Sequence, residues 1–464
     1  MLKPTIFRLY DIRGVYNEEF SAADCYRIGR AYAEHEAKKL QQSPLKMYIT
    51  GDGRVSTPEI LPYFITGLAD GGADVHFGGM SPTPHNYWAV YHKKYPAACV
   101  VSASHNPAKY NGFKPHDVHG KVYGDECMGL YEKALAIEVP EDLDVNNWES
   151  RCTKVDYKQE YIEYLVSKCE QPKKFRVLVD AGNAVPGAWY PDLLRAAGHE
   201  VVELFCDIDG NFPNHQPDPL EPENAAHAQK AVVEYGCDFA FLYDGDGDRL
   251  GVVDSVGNII PSRSVMAGVL FKDVVQRKPG VTVAMDVMSS LFLQEMITNW
   301  GGNPVLGVTG HAQMMECLHD NNAEMACEFS GHIMTQELHG YDDAGYATLV
   351  FLRAIAENPN IINEVREEIP TTTDITKYIA VDDAHKYETF EKMKQKLLEL
   401  YPSAITLDGV RVNFGNSEWC ILRCSNSTPC YKLRAEARTP EKAEQLAQQI
   451  LDIMAEYIEL KPFH

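Results

Sequence analysis

The segment DGDGDR carries the clearest chemistry in this sequence, because Asp244, Asp246 and Asp248 alternate with glycines. The glycines let the backbone fold so that the three carboxylates converge, and convergent carboxylates repel one another unless a divalent cation lies among them. An EF-hand loop would need Gly at its sixth position and Glu at its twelfth, whereas Arg249 and Ser255 stand there. The spacing therefore predicts a metal site, and the alternative is a solvated acidic turn.

A second candidate is Ser104, which follows the apolar run ACVVSA and precedes His105 and Asn106. A serine hydroxyl is a weak nucleophile at its free pKa and needs a base or an electrophilic partner nearby. Lys114 stands in the same segment. The position at the end of a strand-like run makes Ser104 a candidate reactive residue, and the alternative is an ordinary Ser/Thr turn.

The segment CEFSGH places Glu328, Ser330 and His332 at alternate positions after an apolar run. In an extended strand, alternate residues share one face. A carboxylate and a hydroxyl on one face suit the paired hydroxyls of a sugar. The segment is therefore a candidate sugar-binding loop.

The segment RCSNSTP combines a cation with short polar side chains. Arg423 offers a planar fork of donors, and Ser425, Asn426 and Ser427 add polar groups and backbone N–H groups. This combination predicts a phosphate-binding loop, and the alternative is an ordinary polar hairpin loop.

The elements that would position these loops follow an α/β pattern. LKMYIT, FRVLVD and VTVAMD read as short apolar strands, each followed by a turn, an amphipathic helix and a glycine. Such repeats predict mainly parallel sheets covered by helices, with ligand-binding loops at the strand ends. Near the C-terminus, YETFEKMKQKLLELYP reads as a helix and WCILRCSNSTPCYKLRAEA as two strands around a loop. We expect a smaller α+β domain there, after a possible polar linker at 358–374.

The composition limits the class of protein. The chain has 464 residues, 45% of them hydrophobic, which is enough for several buried cores. Its formal charge of -23 argues against nucleic-acid binding, which usually requires a basic face. MLKPTIFRLYDIRG does not resemble a signal peptide, and no apolar run is long enough to span a membrane. We expect a cytoplasmic protein without a membrane partner, whose scattered cysteines are reduced core thiols.

Taken together, the motifs resemble the α-D-phosphohexomutase superfamily, and most closely its bacterial phosphomannomutase/phosphoglucomutase branch. YDIRG, GDGRVSTPEI, SASHNPAKYNGFK, DGNFPNHQPDP, DGDGDR, TGH, CEFSGH, LDGVRV and RCSNSTP occur in the family's order. The resemblance implies an α/β fold with four domains around a central cleft. The first three domains would be topologically similar mixed α/β units and the fourth a smaller α+β domain, with ranges of 1–150, 151–258, 259–368 and 369–464.

The resemblance also implies an activity and its cofactors. Such an enzyme interconverts hexose 1-phosphate and hexose 6-phosphate, with mannose or glucose as the sugar, through a phosphoserine and a hexose 1,6-bisphosphate intermediate. One Mg²⁺ per chain would assist the transfer, the bisphosphate would act as activator, and small sugar phosphates would be the binding partners. Phosphoryl transfer needs mainly alignment and charge neutralisation, which a cation and basic side chains can supply.

The resemblance assigns residues to three roles. The catalytic residues would be Ser104, His105, Lys114, Arg249 and His311. The metal ligands would be Ser104, Asp244, Asp246 and Asp248. The substrate-binding residues would be Tyr10, Arg13, Thr309, Gly310, Glu328, Ser330, His332, Arg423, Ser425, Asn426 and Ser427. Proton transfer has four candidates by resemblance, and the near-neutral pKa of histidine favours His311 or His332 over Lys114 or Arg13.

Two positions depart from the family pattern. Met288 stands where the family has a lysine that helps to hold substrate, and Cys327 replaces the glycine before the sugar-binding glutamate. Met288 either leaves the substrate site with one cation fewer or is a core residue at a strand-to-helix turn. Two alternative functions therefore stay open: a phosphoglucosamine mutase, and a mutase homologue that binds sugar phosphates with weak or no turnover.

Overall fold

The computed structural model describes residues 2–8, 11–117, 125–382, 385–425 and 429–463. The chain forms two compact units, each built from two separate stretches of sequence. Unit 1 comprises Met1–Ser262 and Ser330–Pro359, and unit 2 comprises Arg263–Phe329 and Asn360–His464.

The first sheet of unit 1 is mixed and leads into the segment that contains Ser104, residues 102–109 between two of its strands, which we call the serine loop. Its strands are β1 (Ile12–Val15), β2 (Leu45–Gly51), β3 (Ala73–Met80), β4 (Ala97–Val101), β5 (Tyr110–Asp117) and β6 (Cys152–Lys154), in the order β1-β5-β4-β2-β3-β6. The helices of this region are α1 (Ala22–Leu40), α2 (Thr57–Asp70), α3 (Thr83–Lys93) and α4 (Asp125–Leu135). β4 pairs in parallel with β2 and antiparallel with β5. All five residues of β4 are buried, so the serine loop begins at the edge of the core.

The second sheet of unit 1 carries the DGDGDR segment, residues 244–249, which we call the acidic loop. Its strands are β7 (Arg176–Asp180), β8 (Glu200–Leu204), β9 (Phe239–Tyr243), β10 (Leu250–Asp254) and β11 (Ile259–Ile260), in the order β11-β10-β9-β7-β8. The helices here are α5 (Lys158–Lys168), α6 (Tyr190–Ala196) and α7 (Ala226–Glu234). β7 is parallel to β8 and β9, whereas β10 is antiparallel to β9. The acidic loop connects β9 to β10.

The first part of unit 2 is a parallel α/β layer. It contains β12 (Thr282–Asp286), β13 (Asn303–Gly307), β14 (Met325–Cys327), α8 (Ala267–Arg277), α9 (Leu291–Asn299) and α10 (His311–Asp320). β12 pairs in parallel with both β13 and β14. The chain then contributes β15 (Ile333–Thr335) and α11 (Ala344–Glu357) to unit 1.

The second part of unit 2 is the predicted smaller domain. It contains α12 (Ile361–Glu368), β16 (Thr373–Ala380), α13 (Lys386–Leu400), β17 (Val410–Gly415), β18 (Glu418–Cys424), β19 (Cys430–Ala437) and α14 (Pro440–Met454). Its sheet has the order β16-β19-β18-β17, and all three pairings are antiparallel. The predicted helix and the predicted strand pair correspond to α13, β18 and β19. The expected four-domain α/β architecture is confirmed, while the exact domain boundaries stay a prediction.

One local expectation is wrong: the polar stretch 358–374 is not a simple linker, because it contains α12. Ile361 and Val365 stand one helical turn apart and are buried at 1% and 0% exposure, which gives this charged helix an apolar face. All twelve cysteines are free thiols, and most of them are buried, as expected. Among the helices of the described ranges, none combines the length and apolar character that crossing a membrane requires.

Candidate active site

The loop after β4 holds Ser104 in an unusual backbone conformation. Ser104 is 1% exposed and has a φ of +49°, in the left-handed region that non-glycine residues rarely occupy. Its N–H donates to Ser102 Oγ at 2.9 Å, and its own hydroxyl donates to Asp244 Oδ2 at 2.7 Å. His105 Nδ1 lies 3.3 Å from the same hydroxyl. Burial lowers the pKa of His105 well below its usual value, and the charges of Arg249 and Arg13 lower it further.

The loop between β9 and β10 brings the three aspartates together. Asp244, Asp246 and Asp248 are at most 1% exposed, and each offers an oxygen within 4.8 Å of the others. Gly245 permits close packing of this loop on the serine loop, since a Cβ added at Gly245 would lie 2.2 Å from the Ser104 carbonyl oxygen.

Lys114 on β5 supplies positive charge to this group of carboxylates. Its Nζ lies 2.5 Å from Asp246 Oδ2 and 2.9 Å from Asp248 Oδ2. Burial alone would raise the pKa of Asp248, but Lys114, His332 and Arg249 outweigh it and hold that pKa well below its usual range. Asp244 behaves oppositely, because burial and the charges of its two neighbours raise its pKa well above the usual range. The opposite shifts of Asp244 and Asp248 follow from their surroundings, because Lys114 contacts Asp248 and Asp246, whereas Asp244 meets mainly burial and the repulsion of the other two carboxylates.

The residues present fit a divalent metal ion. Within the described part of the chain, Asp246 Oδ1 and Asp248 Oδ1 are buried oxygens that have no hydrogen-bond partner. Buried carboxylate oxygens without partners are costly unless a cation satisfies them. The donor set consists of carboxylate oxygens and the Ser104 hydroxyl, which are the ligands that Mg²⁺ prefers.

Arg249 and His332 lie beside the acidic group. Arg249 Nε donates to His332 Nε2 at 3.0 Å, and its Nε also lies 3.9 Å from Asp244 Oδ2. His332 Nδ1 lies 2.5 Å from Asp342 Oδ2. Sequence reasoning missed Asp342, since an aspartate pair just before a helix usually indicates only a cap.

Arg13 and Thr83 also reach this part of unit 1. Arg13 Nη1 donates to Asn106 Oδ1 at 3.0 Å, so it contacts the serine loop, and its Nη2 pairs with Asp11 at 2.5 Å. Thr83 Oγ1 donates to Asp246 Oδ2 at 2.6 Å and was also missed, because nothing local to Thr83 marks it. Tyr10 lies outside the described residues.

Unit 2 gathers a second set of predicted residues. The Gly310 N–H donates to Glu328 Oε1 at 3.0 Å, and the Thr309 N–H donates to Asp408 Oδ2 at 3.2 Å. Gly310 has a φ of +130° and precedes α10, which begins at His311. The backbone N–H groups of the TGH turn are thus bonded to the side-chain carboxylates of Glu328 in the CEFSGH segment and of Asp408.

Arg423 lies in the same group of residues. Its Nη2 is 2.7 Å from Asp408 Oδ2, the oxygen that also accepts from Thr309. Lys386 Nζ donates to the carbonyl oxygen of Ser425 at 3.0 Å. Asp408 belongs to the LDGVRV motif but was given no role, and Lys386 had no signal in the sequence. Asn426 and Ser427 lie outside the described residues.

The CEFSGH segment departs from the expected geometry. The chain turns at residues 329–331, where Gly331 has a φ of +88°, so the segment is not an extended strand. The expectation that Glu328, Ser330 and His332 share one strand face is therefore wrong, because alternation predicts a common face only in a strand. Glu328 belongs to unit 2, and Ser330 and His332 belong to unit 1.

The two positions that depart from the family pattern are both buried. Met288 is 7% exposed and packs in an apolar cluster with Trp419 and Ile421, while its carbonyl accepts from Arg434. Cys327 ends β14 at 5% exposure, and burial together with Asp286 raises the pKa of its thiol. These contacts favour the packing interpretation of Met288.

Comparisons with known proteins agree with this combination of fold and loops. Family models for phosphoglucomutase/phosphomannomutase alpha/beta/alpha domains I, II and III match residues 4–136, 159–257 and 263–373. A phosphomannomutase/phosphoglucomutase of Pseudomonas syringae pv. tomato is 35% identical over 454 residues, which cover 96% of this chain and 94% of the relative. A phosphoglucomutase of Neisseria meningitidis serogroup A is 34% identical, with 96% and 95% covered.

A solved structure extends the likeness to the complete fold. The crystal structure of a phosphoglucomutase/phosphomannomutase family protein from Burkholderia thailandensis superposes with a TM-score of 0.87 at 31% identity, covering 100% of both chains. The three matching domains and the relatives above 30% identity lead to one conclusion: the chain belongs to the phosphoglucomutase/phosphomannomutase family.

Proposed function

We propose that this chain is a phosphohexomutase that interconverts hexose 1-phosphates and hexose 6-phosphates through a phosphorylated Ser104. The observation that carries the proposal is the hydrogen bond of 2.7 Å between the Ser104 hydroxyl and Asp244, inside a buried group of three aspartates. A hydroxyl beside a potential divalent-cation site is arranged for phosphoryl transfer, in which positioning and charge neutralisation dominate.

The reaction consists of two phosphoryl transfers. In the first, the bond between phosphorus and Ser104 Oγ breaks, and a bond forms to the free O6 or O1 of the sugar monophosphate, whose hydroxyl proton passes to a base. The product is a hexose 1,6-bisphosphate. After the sugar reorients, Ser104 Oγ attacks the other phosphoryl group, and the released sugar oxygen recovers a proton.

Several residues of unit 1 would support these transfers. Ser104, Asp244, Asp246 and Asp248 would hold Mg²⁺, which when bound neutralises charge on the transferring phosphoryl group. Lys114 and Arg249 add positive charge beside the same carboxylates, at 2.5 Å and 3.9 Å. His105 would orient the serine hydroxyl.

The remaining assignments concern substrate and protons. His311 and His332 are the proposed proton-transfer residues, and His332 is oriented by its contact with Asp342. The proposed substrate-binding residues are Tyr10, Arg13, Thr309, Gly310, Glu328, Ser330, His332, Arg423, Ser425, Asn426 and Ser427. The central cleft implied by the family resemblance is part of this proposal.

The sugar is proposed to be mannose or glucose, with the bisphosphate as activator. Named relatives include both a phosphomannomutase/phosphoglucomutase and a phosphoglucomutase. Substrates would be small sugar phosphates in the cytoplasm, without nucleic-acid or membrane partners. The loop RCSNSTP carries Asn where the glucosamine branch typically has Gly, so phosphoglucosamine mutase is the lesser alternative.

The test compares the wild-type protein with Ser104→Ala and Asp246→Asn. Mannose 1-phosphate, glucose 1-phosphate and glucosamine 1-phosphate are assayed separately, each primed with its own 1,6-bisphosphate, with Mg²⁺ or with EDTA. We expect turnover of the mannose or glucose ester, its loss in EDTA with recovery on added Mg²⁺, and loss by orders of magnitude in both variants.

Peptide mass spectrometry after incubation with glucose 1,6-bisphosphate should find phosphate on Ser104. Phosphate on Ser102 instead, or full activity of Asp246→Asn, would refute the residue assignments. A wild-type protein that binds all three esters but converts none would establish the alternative of a sugar-phosphate-binding homologue.

A further inference from the structure

The motif GDGRVSTPEI has no role in the function proposed above, yet it forms the turn between β2 and α2 directly behind the serine loop. Arg54 in this motif is 1% exposed. Its Nη2 donates to the carbonyl oxygens of Ser104 and Asn106, both at 2.6 Å. Its Nη1 donates to those of Pro107 and Tyr110, both at 2.9 Å. One guanidinium group therefore holds four carbonyls of the segment that contains Ser104.

Asp52 extends this arrangement to the other side of Ser104. The Arg54 Nε donates to Asp52 Oδ2 at 3.0 Å, and the Ser102 hydroxyl donates to the same oxygen at 2.8 Å. The Ser102 oxygen in turn accepts from the Ser104 N–H at 2.9 Å. The N–H and the carbonyl of Ser104 are thus both connected to the Asp52–Arg54 pair.

The backbone of Ser104 explains why such support is needed. A serine with a φ of +49° persists only where surrounding contacts enforce that conformation. The rigid fork of an arginine can bind several carbonyls at once, whereas the single ammonium of a lysine cannot reproduce that geometry. A shift of about 1 Å in a reacting group can lower a rate about 100-fold.

We propose that Arg54 is a positioning residue for phosphoryl transfer, which holds Ser104 in its left-handed conformation with the hydroxyl directed at Asp244. The proposal rests on the mutase function proposed above. Arg54 does not touch substrate in this scheme, and it acts through the carbonyls of the loop. Its loss therefore slows both phosphorylation and dephosphorylation of Ser104 and leaves binding of the sugar phosphate nearly unchanged.

The experiment uses the full-length protein with Arg54→Lys and Ser102→Ala, which disrupt the two sides of the arrangement separately. The matched control is Arg353→Lys, because Arg353 is also buried in unit 1, at 8% exposure, but its Nη1 contacts Cys169 Sγ. Circular dichroism and thermal melts establish that each variant is folded. Steady-state kinetics and the rate of Ser104 phosphorylation by glucose 1,6-bisphosphate are then measured.

We expect Arg54→Lys to lower kcat and the phosphorylation rate together, by about 100-fold, with KM changed less than about threefold. Ser102→Ala should show a smaller loss of the same kind, and Arg353→Lys should retain the wild-type kcat. In Arg54→Ala, guanidinium ion at millimolar concentration should restore part of the lost rate. A folded Arg54→Lys with wild-type kcat, or a loss matched by Arg353→Lys, would overturn the proposal.

Hydrogen exchange separates this inference from the proposed function. Peptides covering residues 102–110 should exchange faster in Arg54→Lys than in wild type, whether or not the protein turns over any sugar. A wild-type protein without mutase activity would contradict the proposed function. The exchange rates would still show whether Arg54 orders the serine loop. Unchanged exchange in this segment would contradict the positioning role even in an active enzyme.

Discussion

Met288 shows how much a single side chain depends on its surroundings. Its family position suggests a substrate-holding cation, but its side chain is 7% exposed and packs against Trp419 and Ile421. Two guanidinium groups also contact the backbone at this position. Arg434 donates to the Met288 carbonyl, and Arg411 donates to the Val287 carbonyl at 2.7 Å. An ammonium group here would be desolvated and close to two like charges.

We therefore expect Met288→Lys to destabilise the protein and to leave substrate affinity unchanged. Burial of an unpaired cation should lower the free energy of unfolding by about 2–4 kcal/mol. Thermal melts and steady-state kinetics with a hexose 1-phosphate measure the two effects, and Met288→Leu, which preserves volume, should cost less than about 1.5 kcal/mol. A stable Met288→Lys with a KM lowered about tenfold would instead place residue 288 in the substrate site.

At the scale of an element, α3 contributes to a layer of packed aromatic rings in unit 1. His85 on this helix is fully buried, and its ring centroid lies 4.6 Å from that of Trp189 and 5.3 Å from that of Tyr161. Tyr48 on β2 lies against it at 5.8 Å. Burial lowers the pKa of His85 to about 3, so the native protein holds this imidazole neutral.

The buried imidazole predicts a loss of stability in acid. Between its unfolded pKa of about 6.5 and the native value of about 3, the unfolded state binds a proton that the native state does not. The free energy of unfolding therefore falls as the pH falls through this window, by up to about 1.4 kcal/mol per pH unit.

His85→Phe should remove this contribution. Between pH 7 and pH 5, urea unfolding followed by tryptophan fluorescence should show a fall that is about 2 kcal/mol smaller in His85→Phe than in wild type. His319→Gln, at an exposed position on α10, is the control that removes a histidine without changing the core. Equal pH dependence of wild type and His85→Phe would show that His85 is protonated without cost in the native state.

At the scale of the whole molecule, unit 2 joins two stretches of chain through one buried polar network. Arg411 on β17 donates to the carbonyls of Val287 at 2.7 Å and Ser289 at 3.0 Å. Glu436 on β19 accepts from Ser290 Oγ at 2.8 Å and from Trp419 Nε1 at 2.9 Å. A buried polar group without a hydrogen-bond partner is costly. If one stretch opened alone, these carbonyls and side chains would lose their partners in the other stretch.

We expect residues 263–329 and 360–464 to unfold as one cooperative unit. Hydrogen exchange in increasing urea should show both stretches losing protection at the same concentration. Arg411→Met should destabilise both equally, by about 3 kcal/mol, because it leaves two carbonyls without a donor and Glu436 with less positive charge nearby. Loss of protection in 360–464 while 263–329 stays protected would contradict this coupling.

Some features of this protein follow from the sequence alone, because they depend on residues close together in the chain. The alternation of strands and helices, the strand pair β18–β19 and the acidic loop between two strands are local patterns of hydrophobicity and spacing. The order of the motifs was sufficient to indicate the family. Local patterns failed where the geometry departs from regular structure, as at residues 329–331, where a turn interrupts the alternation that was expected to place Glu328, Ser330 and His332 on one face.

Tertiary structure decided the contacts between residues far apart in sequence. Ser104 meets Asp244 across 140 residues, and Arg54 reaches the carbonyls of the serine loop across about 50 residues. Asp408 entered the candidate site in the same way, since it accepts from the Thr309 N–H across 99 residues, and Met288 left it for an apolar cluster. Periodicity specifies which face of an element is buried, but only the packing of whole elements specifies which side chains meet there.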